Sequence, residues 1–189
     1  MNKNPETFAK EVEETVKKPG LPPLDQWHPD LSGDMDMVIR RDGQWIFKGE
    51  PLGREAIVRL FSTILRREED GEFYLVTPVE KWRIQVEDTP LLAHSLEVDG
   101  TGDDQVLSLT TNVGERLEIS DEHPLEVGQY PDSGEPRPVI KVRHGVEARI
   151  VTAAFYELAD LVTEQKNKGG QTVYGVMSHG KFWKVGQGG

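Results

Sequence analysis

The sequence predicts an α+β chain of two β-rich halves, each carrying a repeated hairpin–helix–strand–strand motif. Three observations predict it. Two stretches, Arg54 to Arg67 and Thr152 to Gln165, place apolar residues at helical spacing. Short apolar runs separated by glycine-containing polar turns flank both. The two neighbourhoods also align with each other in pattern.

In chain order, Met1 to Gly20 is polar, with Phe8, Val12 and Val16 spaced for one helical face. It reads as a short helix on the body or as a frayed terminus. Pro19-Gly-Leu-Pro-Pro23 ends it, because proline and glycine break helices. Met35 to Ile39 and Gln44 to Lys48 flank Asp42-Gly43, which predicts a hairpin with a type I′ turn. The first helix, Arg54 to Arg67, turns Ile57, Val58, Leu60, Phe61, Ile64 and Leu65 to one face. Strands follow at Phe73 to Val76 and Trp82 to Val86, joined by Thr77-Pro-Val-Glu-Lys81.

The middle reads as meandering β: Leu91 to Val98, Val106 to Thr111 and Glu115 to Ile119. A hairpin over Val139 to Val151 turns at Arg143-His-Gly145. The second helix, from about Thr152 to Gln165, groups Phe155, Leu158, Ala159 and Val162. Thr172 to Met177 and Lys181 to Val185 close the chain as strands. At a shift of 98 positions, Leu52 meets Ile150, Ile57 meets Phe155, Leu60 meets Leu158 and Leu75 meets Val173. Few positions are identical, so this is a repeat of pattern.

At 189 residues with 36% hydrophobic composition, the chain is long enough to bury a substantial core. It has no cysteine, so disulfides and thiol chemistry are excluded. No apolar run is long enough to span a membrane, and the start lacks the apolar core of a secretory signal. A soluble, cytoplasmic protein is the expectation. The net charge is −11, and residues 84 to 136 hold thirteen acids against one base, Arg116. An extended nucleic-acid surface is therefore not expected, since it needs clustered Lys and Arg. The acidic middle reads as a solvated face.

Two motifs fail. Gly175-Val-Met-Ser-His-Gly-Lys-Phe182 fits a phosphate-binding P-loop at seven of eight positions, but Phe182 replaces the magnesium-binding hydroxyl. Too few residues follow for the phosphate-binding helix. A nucleophile elbow fails on spacing and on the strand that follows. The five histidines are scattered without ligand spacing, and Asp34-x-Asp36 reads as surface carboxylates, so no metal site is expected. No catalytic residue and no cofactor are expected either.

One cluster carries more chemistry. Thr77, Glu80 and Lys81 share a tight turn, and its counterpart in the repeat is Ser178-His-Gly-Lys181. Arg54 begins the first helix, Trp45 sits on the preceding hairpin, and Arg40 and Arg149 lie near corresponding hairpins. Arginine offers planar donors to phosphate or carboxylate, and tryptophan offers a stacking plate. These residues read as a nucleotide-like anion site or as an ordinary packed interface with ion pairs.

The segments Trp27-His-Pro29, Met35-Asp-Met-Val-Ile-Arg40, Asp42-Gly-Gln-Trp45, Tyr74-Leu-Val-Thr-Pro-Val-Glu-Lys81, Val86-Glu-Asp88 and Ser178-His-Gly-Lys-Phe182 resemble a bacterial family, domain of unknown function 1285. Thr77-Pro-Val-Glu-Lys81 is the sharpest piece. Leu91 and Leu92 follow Pro90, where the resemblance leads one to expect an aromatic. The resemblance implies a duplicated two-domain core with a C-terminal pleckstrin-homology-like domain. It also implies a ligand site at the domain interface and a part in signalling. On this reading residues 1–20 form a polar segment, 21–89 an N-terminal α+β domain, and 90–189 the pleckstrin-homology-like domain. The expected function is a non-enzymatic ligand-binding or sensor protein for a small anionic, nucleotide-like molecule. Arg40, Trp45, Arg54, Thr77, Glu80, Lys81, Arg149 and Ser178 are its candidate site residues. A protein–protein adaptor working through exposed strand edges is the alternative, followed by a hydrolase of a phosphorylated small molecule.

Overall fold

A computed structural model describes residues 3–17 and 20–188. The chain divides into two compact units, one of residues 1–90 with the hairpin tip 143–146, the other of residues 91–142 and 147–189.

The first unit opens with α1 (Pro5–Thr15), so the predicted helical face of Phe8 and Val12 lies on a helix, while Met1, Asn2, Lys18 and Pro19 lie outside the described residues. Asn4 caps it, accepting from the Glu6 and Thr7 amides, with Pro5 pre-set for the first turn. Strands β1 (Gly33–Ile39), β2 (Trp45–Phe47) and β3 (Glu50–Pro51) follow, then α2 (Glu55–Thr63). Strands β4 (Leu65–Arg67), β5 (Phe73–Val76) and β6 (Lys81–Val86) complete one sheet in the order β3-β2-β1-β6-β5-β4. β1 and β6 are parallel, and the other neighbours are antiparallel.

Strand alternation sorts the two faces of this sheet. Met35, Met37 and Ile39 on β1 and Trp82 and Ile84 on β6 are buried. Phe61 of α2 meets Trp45 on this side, with ring centroids 6.3 Å apart, and Phe8 of α1 packs against Phe61 at 5.5 Å with the rings tilted by 46°. The intervening residues Asp34, Asp36 and Val38 on β1, and Lys81, Arg83 and Gln85 on β6, turn to the opposite, polar face.

The second unit contains β7 (Leu91–Asp99), β8 (Val106–Thr111), β9 (Arg116–Glu118), β10 (Leu125–Gln129), β11 (Pro136–Arg143) and β12 (Val146–Ile150). They form a sheet in the order β10-β11-β12-β7-β8-β9, with β12 and β7 parallel. Helix α3 (Thr152–Ala159) leads to a three-stranded antiparallel sheet of β13 (Thr163–Lys166), β14 (Thr172–Ser178) and β15 (Lys181–Gln187). Ala93, Leu107, Ile140, Ile150, Leu158 and Val176 make its core.

The predicted repeat is present in element order: hairpin, helix, then strands. Each copy has three strands after its helix where the sequence predicts two. Both helices stop early, at Thr63 and Ala159, and Leu65–Arg67 and Thr163–Lys166 are strands β4 and β13 instead. Sheet pairing wins over helical periodicity, because Leu65 to Arg67 find partners in Leu75 to Phe73 on β5. These extra strands also coincide at the shift of 98 positions.

The turn prediction needs a correction. At Asp42-Gly43 only Gly43 has positive φ, at 89°, with its amide on the Arg40 carbonyl, so the turn is not type I′. Positive φ at both central residues, the type I′ requirement, occurs at Lys48-Gly49, His144-Gly145 and His179-Gly180. The last of these is the P-loop look-alike, here the tight turn between β14 and β15.

Candidate functional site

The polar face of the first unit's sheet is built by register. Arg66 on β4 stands opposite Tyr74 on β5, Tyr74 opposite Arg83 on β6, and Arg83 opposite Asp34 on β1. This row is tied by hydrogen bonds. Arg83 donates to the Asp34 carboxylate at 2.5 Å, which holds that carboxyl below its usual value. The Tyr74 hydroxyl donates to Asp70, which pushes the phenol up to about 12 and the Asp70 carboxyl down.

At the end of the row, Glu68 receives two cations. Arg66 donates to Oε2 at 2.5 Å and Lys81 to Oε1 at 2.9 Å. Arg66 also donates at 2.8 Å to the main-chain oxygens of Leu24 and Trp27. Burial works to raise the Glu68 carboxyl, but the hydrogen bonds from Lys81 and Arg66 together outweigh it and hold the group below its ordinary value. Lys81 Nζ also lies 4.7 Å from the Tyr74 ring centroid.

Beside this network the same face forms a groove of about 660 Å³. Asp36, Arg40, Ile46, Glu72, Gln85 and Glu87 line it. Glu87 accepts from the Arg41 amide at 2.8 Å. Arg40 is exposed, and its guanidinium has no hydrogen-bond or ion-pair partner among the described residues. The lining therefore offers one planar cation and a surplus of carboxylates.

The sequence-predicted residues separate into those that meet this groove and those that do not. Arg40 does. Thr77, Glu80 and Lys81 do share one turn, but each side chain is used within the fold. Thr77 is buried, with its hydroxyl accepting from the Val79 and Glu80 amides. Glu80 takes the Lys3 ammonium at 3.1 Å, and Lys81 turns to Glu68. Trp45 is 3% exposed on the apolar face, so it is core packing and no stacking plate; its indole N–H has no partner among the described residues. Arg54 precedes α2, exposed, 3.9 Å from Glu6.

Arg149 and Ser178 belong to the second unit. Arg149 stands opposite Leu92 across the parallel β12–β7 pair. Ser178 is fully buried, its hydroxyl donating to the Ile119 carbonyl at 2.7 Å and accepting from the Leu107 amide at 3.0 Å. The neighbouring His179 and Lys181 reach Glu118 and Asp121. This turn is a clasp between β14 and the β8–β9 strands.

Sequence reasoning missed Arg66, Glu68, Tyr74 and Asp70, and the groove carboxylates Glu72 and Glu87. The available signal was the period-two polar positions of Asp34-x-Asp36 and Lys81-x-Arg83-x-Gln85 on neighbouring strands. No group of three or more His, Asp or Glu residues suited to a metal occurs among the described residues.

Two family models match the chain. One, for the N-terminal domain of the domain of unknown function DUF1285, covers residues 22–89. The other, for the C-terminal domain of the protein of unknown function DUF1285, covers residues 90–185. A crystal structure of a DUF1285 family protein from Silicibacter pomeroyi DSS-3 is similar at 41% identity and a TM-score of 0.87, covering 99% of this chain and 97% of that one. A DUF1285 family protein from Shewanella baltica OS155 is similar at 26% identity and a TM-score of 0.52, over 66% of this chain and 91% of that one. No curated protein matches.

Proposed function

The chain belongs to the DUF1285 family, and from that premise we propose that it is a non-enzymatic, cytoplasmic small-ligand sensor that takes part in signalling. The observation that carries the reading is Arg40: an unengaged guanidinium on the wall of a groove lined with hydrogen-bonding groups. A guanidinium holds a carboxylate or phosphate through paired donors. Asp36, Glu72 and Glu87 disfavour a polyanion and favour N–H and O–H donors on the same ligand. The ligand class is therefore a small molecule with one anionic group and several donors, as in a nucleoside monophosphate. The second unit, with two sheets and one helix, is taken as pleckstrin-homology-like and as the output half of the sensor.

The test is a thermal-shift and calorimetric screen of nucleoside monophosphates and singly anionic polar metabolites. A ligand bound only by the native state raises the melting temperature by mass action. Arg40→Ala is expected to abolish that shift while leaving the unliganded melting temperature unchanged. A panel without any shift, or an Arg40→Ala protein that binds like the parent, sinks the proposal.

A further inference from the structure

A separate feature of the second unit goes beyond this reading. The outer strands of the three sheets differ in what closes their free side. β3 ends in Pro51, which has no N–H to offer. The outward Arg67 amide of β4 is taken by the His144 carbonyl, and the Ile119 carbonyl just after β9 is taken by the Ser178 hydroxyl. β10 and β15 lie within 8 Å of one another and close each other off. β13 has β14 on one side, and no other strand or helix runs along it among the described residues. All four of its residues are exposed.

The ladder with β14 says which main-chain groups of β13 face outward. Asn167, just past the strand, donates its amide to the Gln171 carbonyl at 3.0 Å. Bonded and non-bonded positions alternate along an antiparallel pair. Gln165 opposite Val173 and Thr163 opposite Gly175 are therefore bonded positions, and the N–H and C=O of Glu164 and Lys166 point away from β14. The strand contains no proline, and its register with β14 is unbroken, so two of the devices that usually spoil an edge are missing. The device that remains is charge, on Glu164 and Lys166.

We infer that β13 pairs antiparallel with β13 of a second copy of this chain, with Gln165 on the two-fold axis. The outward groups of Glu164 and Lys166 permit three registers, centred on Glu164, on Gln165 or on Lys166. The first sets Glu164 against Glu164 and the third sets Lys166 against Lys166, and like charges directly opposite one another repel. Centring on Gln165 sets Glu164 of each copy against Lys166 of the other, and Thr163 against Asn167. The charges that blunt this edge elsewhere thus match a second copy in one register and in neither of the others. Glu164 has no ion partner among the described residues, and the Lys166 ammonium donates to the neutral Thr172 hydroxyl at 2.7 Å, so neither charge is neutralised within the chain. With four residues on each side, the contact falls short of the roughly 1,200 Å² of a stable interface, so the dimer is weak, reversible and sensitive to salt.

Sedimentation velocity of the full chain over a wide concentration range is expected to show a reversible monomer–dimer equilibrium that added salt weakens. Glu164→Lys and Lys166→Glu each turn both attractive pairs repulsive, and each is expected to weaken association at least about tenfold. Mixing the two single variants restores complementarity as a heterodimer, and the double exchange of both residues restores the homodimer. All three variants are expected to melt like the parent at a concentration where it is monomeric, since both side chains are exposed. In the parent, raising the concentration is expected to slow amide exchange at Glu164 and Lys166. A parent that stays monomeric throughout, single variants that associate like the parent, a mixture or double exchange that restores nothing, or protection confined to another edge each overturns the inference. A monomeric parent that binds an added alternating lysine–glutamate peptide along β13 assigns the edge to another protein's strand and overturns it equally.

Discussion

Lys81 and Glu68 meet across strand β5, with Nζ 2.9 Å from Oε1, while Arg66 holds Oε2 of the same carboxylate from β4 at 2.5 Å. One anion thus compensates two cations whose side chains are only 18% and 12% exposed. Lys81 therefore behaves as part of the fold and not as a free ligand-binding ammonium. Glu68→Gln keeps the shape but leaves two partly buried cations side by side, and is expected to cost about 1–3 kcal/mol. Lys81→Ala, which keeps the Arg66 pair, is expected to cost about 1 kcal/mol, discounted for partial exposure. Chemical denaturation of both single variants and the double variant measures the coupling. Strict additivity would show that the triad contributes nothing cooperative.

The same carboxylate makes stability fall in acid. Its folded pKa lies below the ordinary 4.5 because the Lys81 and Arg66 hydrogen bonds overcome the opposing effect of burial. The unfolded chain then binds the proton more readily than the native one, so the contribution is complete above about pH 4.5 and disappears as pH falls through the folded value. Melting curves between pH 3 and 6 are expected to show a shallower acid slope for Glu68→Gln than for the parent. Identical slopes contradict the assignment.

What the sequence could tell depended on whether a signal was local. Strands Phe73–Val76 and Val106–Thr111 have the predicted bounds, because apolar runs between turn residues are local patterns. Strands β4, β10 and β13 were not foreseen. Leu-Arg-Arg, Leu-Glu-Val-Gly-Gln and Thr-Glu-Gln-Lys hold too little alternation, and only the neighbouring strand makes them β. The site follows the same rule. Thr77, Glu80 and Lys81 were legible as one turn, but their partners Lys3 and Glu68 come from register and packing. Trp45 alternates to the face that α2 covers, a choice its type alone does not disclose.

His144 provides a second pH effect, at milder acidity. It occupies the left-handed region at φ 49° in the 143–146 tip, and its carbonyl accepts the Arg67 amide at 2.9 Å. Burial is the main cause that lowers its pKa; Arg143 and Arg66 lower it further, and Asp25 opposes them. The native state therefore prefers the neutral imidazole. Below the unfolded value of 6.5 the unfolded chain takes up the proton first, so stability falls as pH drops from there toward the folded value. Asparagine tolerates positive φ, so His144→Asn keeps the turn and removes the titration. The slope of melting temperature against pH between 5 and 7 is expected to flatten in this variant, and a retained slope assigns the effect to another group.

Ser178 separates a structural role from a ligand-binding one. Its hydroxyl bridges the Leu107 amide and the Ile119 carbonyl, and its own carbonyl accepts the Trp183 indole N–H at 3.1 Å. Ser178→Ala strands two buried main-chain groups at once, each costing about 1–3 kcal/mol when left unpaired. The expected result is a loss of several kcal/mol in denaturant unfolding. Ser178→Thr restores the hydroxyl, but adds a methyl group in a fully buried position and recovers only part of that loss. A group reserved for a ligand would behave in the opposite way: its removal would leave the unliganded protein's unfolding midpoint unchanged, and that result would overturn the clasp.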